Sequence, residues 1–184
     1  MTRDRDPAGR PRNARPRDAL GRPLDPADAP GSGAAGTDRI PDDLVITGAE
    51  AAALADRLLR DGRPFHAHEV LEAAWKSGPA QERDLWQGLA QIAVGLTHAR
   101  RGNARGAVSL LRRGAARVRS SEAGAGSEAG AGSETAMGRS ARPFGMDIAS
   151  FLAATDELAV RIERDGLDGI PSADLSPGLL ASRP

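Results

Sequence analysis

The stretch from Pro64 to Arg119 reads PFHAHEVLEAAWKSGPAQERDLWQGLAQIAVGLTHARRGNARGAVSLLRRGAARVR, and its punctuation decides the fold class. Pro64 stands where a first-turn proline is tolerated, and Ser77-Gly78-Pro79 is a plain stop, which predicts a helix over about 64–76. From Gln81 to Arg101 no proline interrupts a helical pattern. Gly102-Asn103 then supplies a left-handed C-terminal residue followed by an N-cap. The next helix, 104–119, puts Ala107, Leu110, Leu111, Gly114 and Val118 on one face, with Arg105, Ser109, Arg112 and Arg119 opposite. So short a turn makes these two helices antiparallel neighbours.

Outward from this stretch the signals stay helical. Thr47 followed by Glu50 is a capping-box start, with Ala51, Leu54 and Leu58 at helical spacing, which predicts a helix over 48–61. Asp147 can cap a last helix whose buried stripe is Ile148, Phe151, Leu152, Leu158 and Ile162. No segment shows sustained strand alternation. The expected fold is all-α, a compact bundle of five helices with antiparallel neighbours.

Composition sets the limits of the folded part. The chain has 184 residues, ordinary for one domain, with 40% apolar and 27% charged residues. Residues 1–41 hold seven of the thirteen prolines, eight arginines and only three large aliphatic side chains, so they read as a disordered Arg/Pro-rich tail. Residues 120–142 repeat SEAGAG at 121–126 and 127–132, which reads as a low-complexity linker inside a helical domain spanning 42–165. Residues 166–184 read as a loosely held tail.

The absence of cysteine excludes disulfides, thiol nucleophiles and thiolate metal sites, and 25 basic against 25 acidic residues remove any argument from overall charge. The apolar run around Ile92–Leu96 is too short to span a bilayer, and the amino terminus has no apolar signal core. The expectation is a soluble, cytoplasmic protein with no membrane partner.

Polar residues inside the apolar stripes carry the functional reading. On the second helix Phe65, Leu71 and Trp75 define a core-facing arc, and His68 and Glu72 fall between them. Glu69 lies near the edge of that arc, and His66 projects away from it, exposed. On the third helix Leu85, Trp86, Leu89, Ala93 and Leu96 make the apolar face, while Asp84, Gln87, Gln91 and His98 share the other side with Gly88, Val94 and Gly95. Two glutamines one turn apart, flanked by glycines that permit close approach, suit a packed polar seam against the second helix. Burying an unpaired charge costs several kcal/mol, roughly, so His68 and Glu72 need partners or a cleft. The predicted cluster is His68, Glu72, Gln87, Gln91 and His98, with Glu69 and Asp84 at its rim and Trp75 closing one side.

These residues resemble a known family. The series Phe65, His68-Glu69, Leu71-Glu72, Trp75, Gln87-Gly88-Leu89, Gln91, Ala93, His98, Gly102-Asn103 and Gly106-Ala107 is similar to the family catalogued as domain of unknown function 309, over roughly 64–112. His66 departs from the pattern, standing where an acidic residue is expected. The resemblance implies a compact all-helical, intracellular domain and brings no established activity with it.

Three chemistries fit the cluster. His68, Glu72 and His98 would be the ligands of a divalent metal such as zinc, manganese or iron. Alternatively, His68 acts as a general base beside Glu72, with His98, Gln87 or Gln91 orienting a small-molecule substrate at a site whose mouth is Glu69 and whose wall is Trp75. The same residues would also serve as a self-satisfied structural hydrogen-bond network. Whether the protein is an enzyme stays open at this level. A competing class is an interaction module. Seven arginines and no acid lie between Leu85 and Ser121, and Arg105, Arg112 and Arg119 recur on one face that could meet an anionic partner or nucleic acid. Five aromatics in the whole chain, mostly assigned to the core, argue against base stacking and favour a solvated arginine face.

Overall fold

Thr47 begins the first helix, α1 (Gly48–Arg60), by a reciprocal cap. Its hydroxyl accepts from the Glu50 N–H, and the Glu50 carboxylate accepts from the Thr47 N–H. Gly62 adopts φ +69° and turns the chain into α2 (Pro64–Ser77), which opens on its proline. A single 3-10 turn, Ala80–Glu82, leads into α3 (Arg83–Arg100). Gly102, at φ +81°, and Asn103 reverse the chain into α4 (Ala104–Ser127), where the Asn103 side chain accepts from the Gly106 N–H at 2.9 Å. Asp147 caps α5 (Ile148–Asp165) through the Ser150 N–H at 3.2 Å. The computed structural model describes residues 18, 20–22, 40–41, 44–127 and 142–180. Among them the fold is an all-α, five-helix bundle without a strand; one isolated bridge joins Met146 and Leu180. No described helix is long and apolar enough to cross a membrane.

The helices pack in chain order, α1 on α2, α2 on α3, α3 on α4 and α4 on α5. The α3–α4 pair is the closest, because three glycines remove side chains from the crossing. A Cβ on Gly88 would lie 2.6 Å from a Val118 methyl and 2.9 Å from the Gly114 carbonyl oxygen, and one on Gly114 would lie 2.6 Å from the Gly88 carbonyl oxygen. Gly95 faces Leu111 in the same way. At the other end Trp86 is fully buried. Its indole N–H donates to Glu82 at 2.9 Å, and its ring lies 5.1 Å from that of Phe144.

Five features differ from the sequence expectation. The glycines of α3 serve the contact with α4, not the one with α2. His66 is 6% exposed and therefore buried, not solvated. Helix α2 lies between α1 and α3 and buries Pro64, His66, Ala67, Val70, Leu71 and Ala74, whereas Phe65 and Trp75, which dominate a wheel weighted by size, are only half-buried. Helix α4 runs eight residues past Arg119, through the first SEAGAG to Ser127. Extending an existing helix needs no new nucleus, so Ala and Glu suffice to carry it on. The remainder of the expected linker, 128–141, lies outside the described residues, as does most of 1–41.

The fifth difference is the segment after α5, which is tied down. Leu175 and Leu179 are buried. The N–H groups of Leu179 and Leu180 donate to one carboxylate oxygen of Asp56 on α1, at 2.6 and 2.9 Å, while its other oxygen accepts from Arg60 at 2.9 Å. Arg100 adds a bond to Ser176 at 2.6 Å. A Gly/Pro-rich composition gave no hint of these partners, which lie more than seventy residues away in sequence. From the amino-terminal tail, Leu20 offers its carbonyl to the Arg101 guanidinium at 2.9 Å, and Gly21 is buried against the Phe65 ring.

Two outcomes follow from this packing. Gly114→Ala forces the α3 and α4 backbones apart and lowers stability by about 1–3 kcal/mol, read from the shift of the urea midpoint. Asp56→Ala strands two amide donors, costs about 1–3 kcal/mol, and removes the hydrogen-exchange protection of the Leu179 and Leu180 amides before that of α3.

Candidate functional site

Residues four apart on α2 form a ladder: His68, Glu72 and Lys76. His68 Nε2 lies 3.4 Å from Glu72 Oε2, and Lys76 Nζ lies 2.8 Å from Glu72 Oε1. Trp75 stands beside the ladder, and α3 turns Gln87, Ala90, Gln91 and Val94 toward it, while Leu110 of α4 supplies the floor. Together they line a cleft of about 180 Å3. Two polar atoms here are buried without a hydrogen-bond partner, the side-chain oxygen of Gln91 and Nδ1 of His68. Each such atom costs about 1–3 kcal/mol unless something outside the fold satisfies it.

The His68 imidazole titrates below its ordinary value of 6.5. Burial is the main cause. The Glu72 carboxylate and the Ala90 backbone oppose it, favouring the charged ring, and Lys76 adds a smaller push downward. A neutral imidazole next to a carboxylate is the form that accepts a proton or a donor hydrogen bond.

The other expected members stand elsewhere. His98 does not join the cleft: its Nδ1 lies 2.8 Å from the Asn103 amide nitrogen, which donates to it at the α3–α4 corner. Gly106 belongs to the same corner, since a Cβ there would lie 2.3 Å from His98 Nδ1. Asp84 is held by Arg117 at 2.7 Å, and Glu69 is half-buried outside the cleft lining. The expected metal set of His68, Glu72 and His98 is therefore not assembled, and among the described residues no group of three His, Asp or Glu side chains could hold an ion. Lys76, Ala90, Val94 and Leu110 were not read as site residues from the sequence. Lys76 had a usable signal, its place four residues after Glu72; the apolar three did not differ from core positions.

The arginines of α4 are largely engaged within the bundle. Arg112 makes a two-pronged contact with Glu163 of α5, at 3.2 and 2.6 Å, and Arg119 pairs with Asp156 of α5. A groove of about 420 Å3 between α4 and α5 is lined by Arg105, Val108, Arg112, Ile162 and Glu163 among others. It is larger than the α2–α3 cleft, but none of its polar atoms is buried without a partner.

Residues 53–110 match the model of the family described as Domain of unknown function (DUF309). This is the family that the sequence motifs resemble. A Bacillus subtilis (strain 168) protein described as "Uncharacterized protein YpuF" is 46% identical over 48 residues, which cover 26% of this chain and 28% of that one. The alignment thus spans little more than a quarter of its relative's length. No solved structure matches the chain. The DUF309 match takes in the second half of α1, all of α2 and α3 and the start of α4. Every residue lining the cleft lies inside it.

The pH dependence of stability carries the His68 signature. Because the folded ring binds its proton more weakly than the unfolded one, stability is full above about pH 6.5 and falls as pH drops through that value toward the lowered one. The melting temperature of the protein should fall between about pH 7.5 and about pH 5.5, and less steeply in His68→Gln, when the two are compared by calorimetry across that range.

Proposed function

We propose that the DUF309 segment forms a small-molecule-binding domain whose site is the α2–α3 cleft. The observation that carries this reading is the cleft itself, which gathers His68, Glu72, Gln87 and Gln91 against apolar walls, with the Gln91 side-chain oxygen buried and without a partner beside it. A self-contained structural network would satisfy its own members; here the fold leaves an acceptor unused beside apolar walls. In this reading Gln91 receives a donor from the ligand, and His68 is the proton-accepting group. Glu72 lies 3.4 Å from the imidazole and offers a carboxylate to the ligand, Gln87 adds an amide, and Trp75 forms one wall. Proton transfer to His68 is the chemistry within reach of such a site. The anionic-partner reading through the arginine face is the weaker one, because α5 and α3 supply carboxylates to Arg112, Arg117 and Arg119.

The two tryptophans provide the test. Trp75 lines the cleft and Trp86 is buried in the core, so their indole N–H signals are a probe and an internal control. In a screen of single-ring compounds by nitrogen–proton correlation spectra, binders should move the Trp75 signal and leave that of Trp86 in place. Gln91→Leu should abolish those shifts while raising stability by about 1 kcal/mol, since it removes an unsatisfied buried oxygen. A loss of stability in Gln91→Leu would return the cleft to a structural role, and so would a screen in which no compound moves Trp75.

A further inference from the structure

The chemistry of the cleft specifies its ligand further, on the condition that the cleft is a binding site at all. We infer that it takes a small, flat, positively charged hydrogen-bond donor of the amidinium, guanidinium or amino-heterocycle class. Size comes first. A cavity of about 150 Å3 accommodates benzene, so about 180 Å3 fits one ring with a short polar substituent.

Polarity narrows the choice. The lining carries N–H donors on Gln87, Gln91 and Trp75, and the acceptors that bear on a cation are on Gln91 and Glu72. Gln91 presents a buried oxygen with no donor. Glu72 presents a carboxylate about one-third exposed, whose partners are a distant imidazole contact at 3.4 Å and Lys76 at 2.8 Å. Lys76 is the displaceable partner: its side chain is 61% exposed and ends on a flexible, strongly hydrated ammonium. A planar amidinium offers two parallel N–H donors that match a carboxylate, and a further outward N–H for an amide oxygen. A carboxylate or phosphate ligand would instead face Glu72 at close range with no cation in the cleft lining itself. The apolar walls complete the match, since Trp75 presents an aromatic surface to a delocalised cation, and Ala90, Val94 and Leu110 cover a ring. Lys76 then acts as an occupant in waiting, competing with the ligand for Glu72.

Three compounds of one shape separate the possibilities: benzamidine, benzamide and benzoate, titrated into the full chain while the Trp75 indole signal is followed. Benzamidine should bind at least tenfold more tightly than benzoate, with benzamide between them. Glu72→Gln should remove the advantage of benzamidine over benzamide, and Lys76→Ala should tighten benzamidine severalfold. Both substitutions lie on half-exposed or exposed positions, and a thermal melt of each variant checks that it is folded. Benzoate binding as tightly as benzamidine, or benzamidine affinity unchanged in Glu72→Gln, overturns the ligand class and leaves the cleft standing as a site. The class falls in the same way if other single-ring compounds move Trp75 and none of these three does. Silence from Trp75 toward every ring compound overturns both this inference and the binding reading beneath it.

Discussion

The contact between the α3 and α4 backbones at Gly88, Gly95 and Gly114 governs the rest of the bundle. Bringing two helices this close fixes how each is rotated about its axis, because only the glycine side of α3 fits against Gly114 and Val118. With 100° between successive residues, committing Gly88 and Gly95 to α4 leaves Gln87 and Gln91 on the flank toward α2. The same rotation sends Trp86 inward against Phe144. A cleft lined by amides is thus a by-product of where small residues sit. Filling the α3–α4 crossing would turn the glutamines away from His68 and Glu72 without touching either.

Much of this was legible in the sequence, and the failures have physical causes. The helices announced themselves through Thr47-Glu50, Pro64, Gly78-Pro79, Gly102-Asn103 and Asp147, all local signals whose partners lie within a turn. His68, Glu72, Trp75, Gln87 and Gln91 were grouped correctly as neighbours because two helical periods brought them to facing edges. His98 was misplaced because the wheel gives only an angle. Seven residues beyond Gln91 it lies roughly 10 Å further along the axis, where the Asn103 amide is the nearer partner. His66 was misread for a different reason: a helix covered on two sides has no single outward face. The strap after α5 was invisible because a carboxylate on α1 holds it, and no periodicity reports a contact across such a distance.

The motifs shared with DUF309 now divide by role. His98, Gly102, Asn103 and Gly106 build the α3–α4 corner: a left-handed residue, a helix cap, the imidazole that accepts from that cap and the space both require. Gly88 belongs to the helix crossing. Leu71, Leu89, Ala93 and Ala107 are buried in the core, Phe65 packs on Gly21, and Glu69 stands outside the cleft lining, whereas His68, Glu72, Trp75, Gln87 and Gln91 line one opening. A residue pattern that looked uniform along the chain therefore separates into a scaffold and a cleft once its contacts are known.

The Asp56 clasp bears on how the molecule can be dissected. The stretch recognisable as DUF309 includes Asp56 but stops far short of Leu179 and Leu180, and it ends before Gly114 and Val118, the seat of Gly88. Cut at the borders of that resemblance, a fragment would bare a carboxylate meant for absent amides and one whole side of α3. The unit that folds is larger than the unit that is recognised, and its two extremities meet.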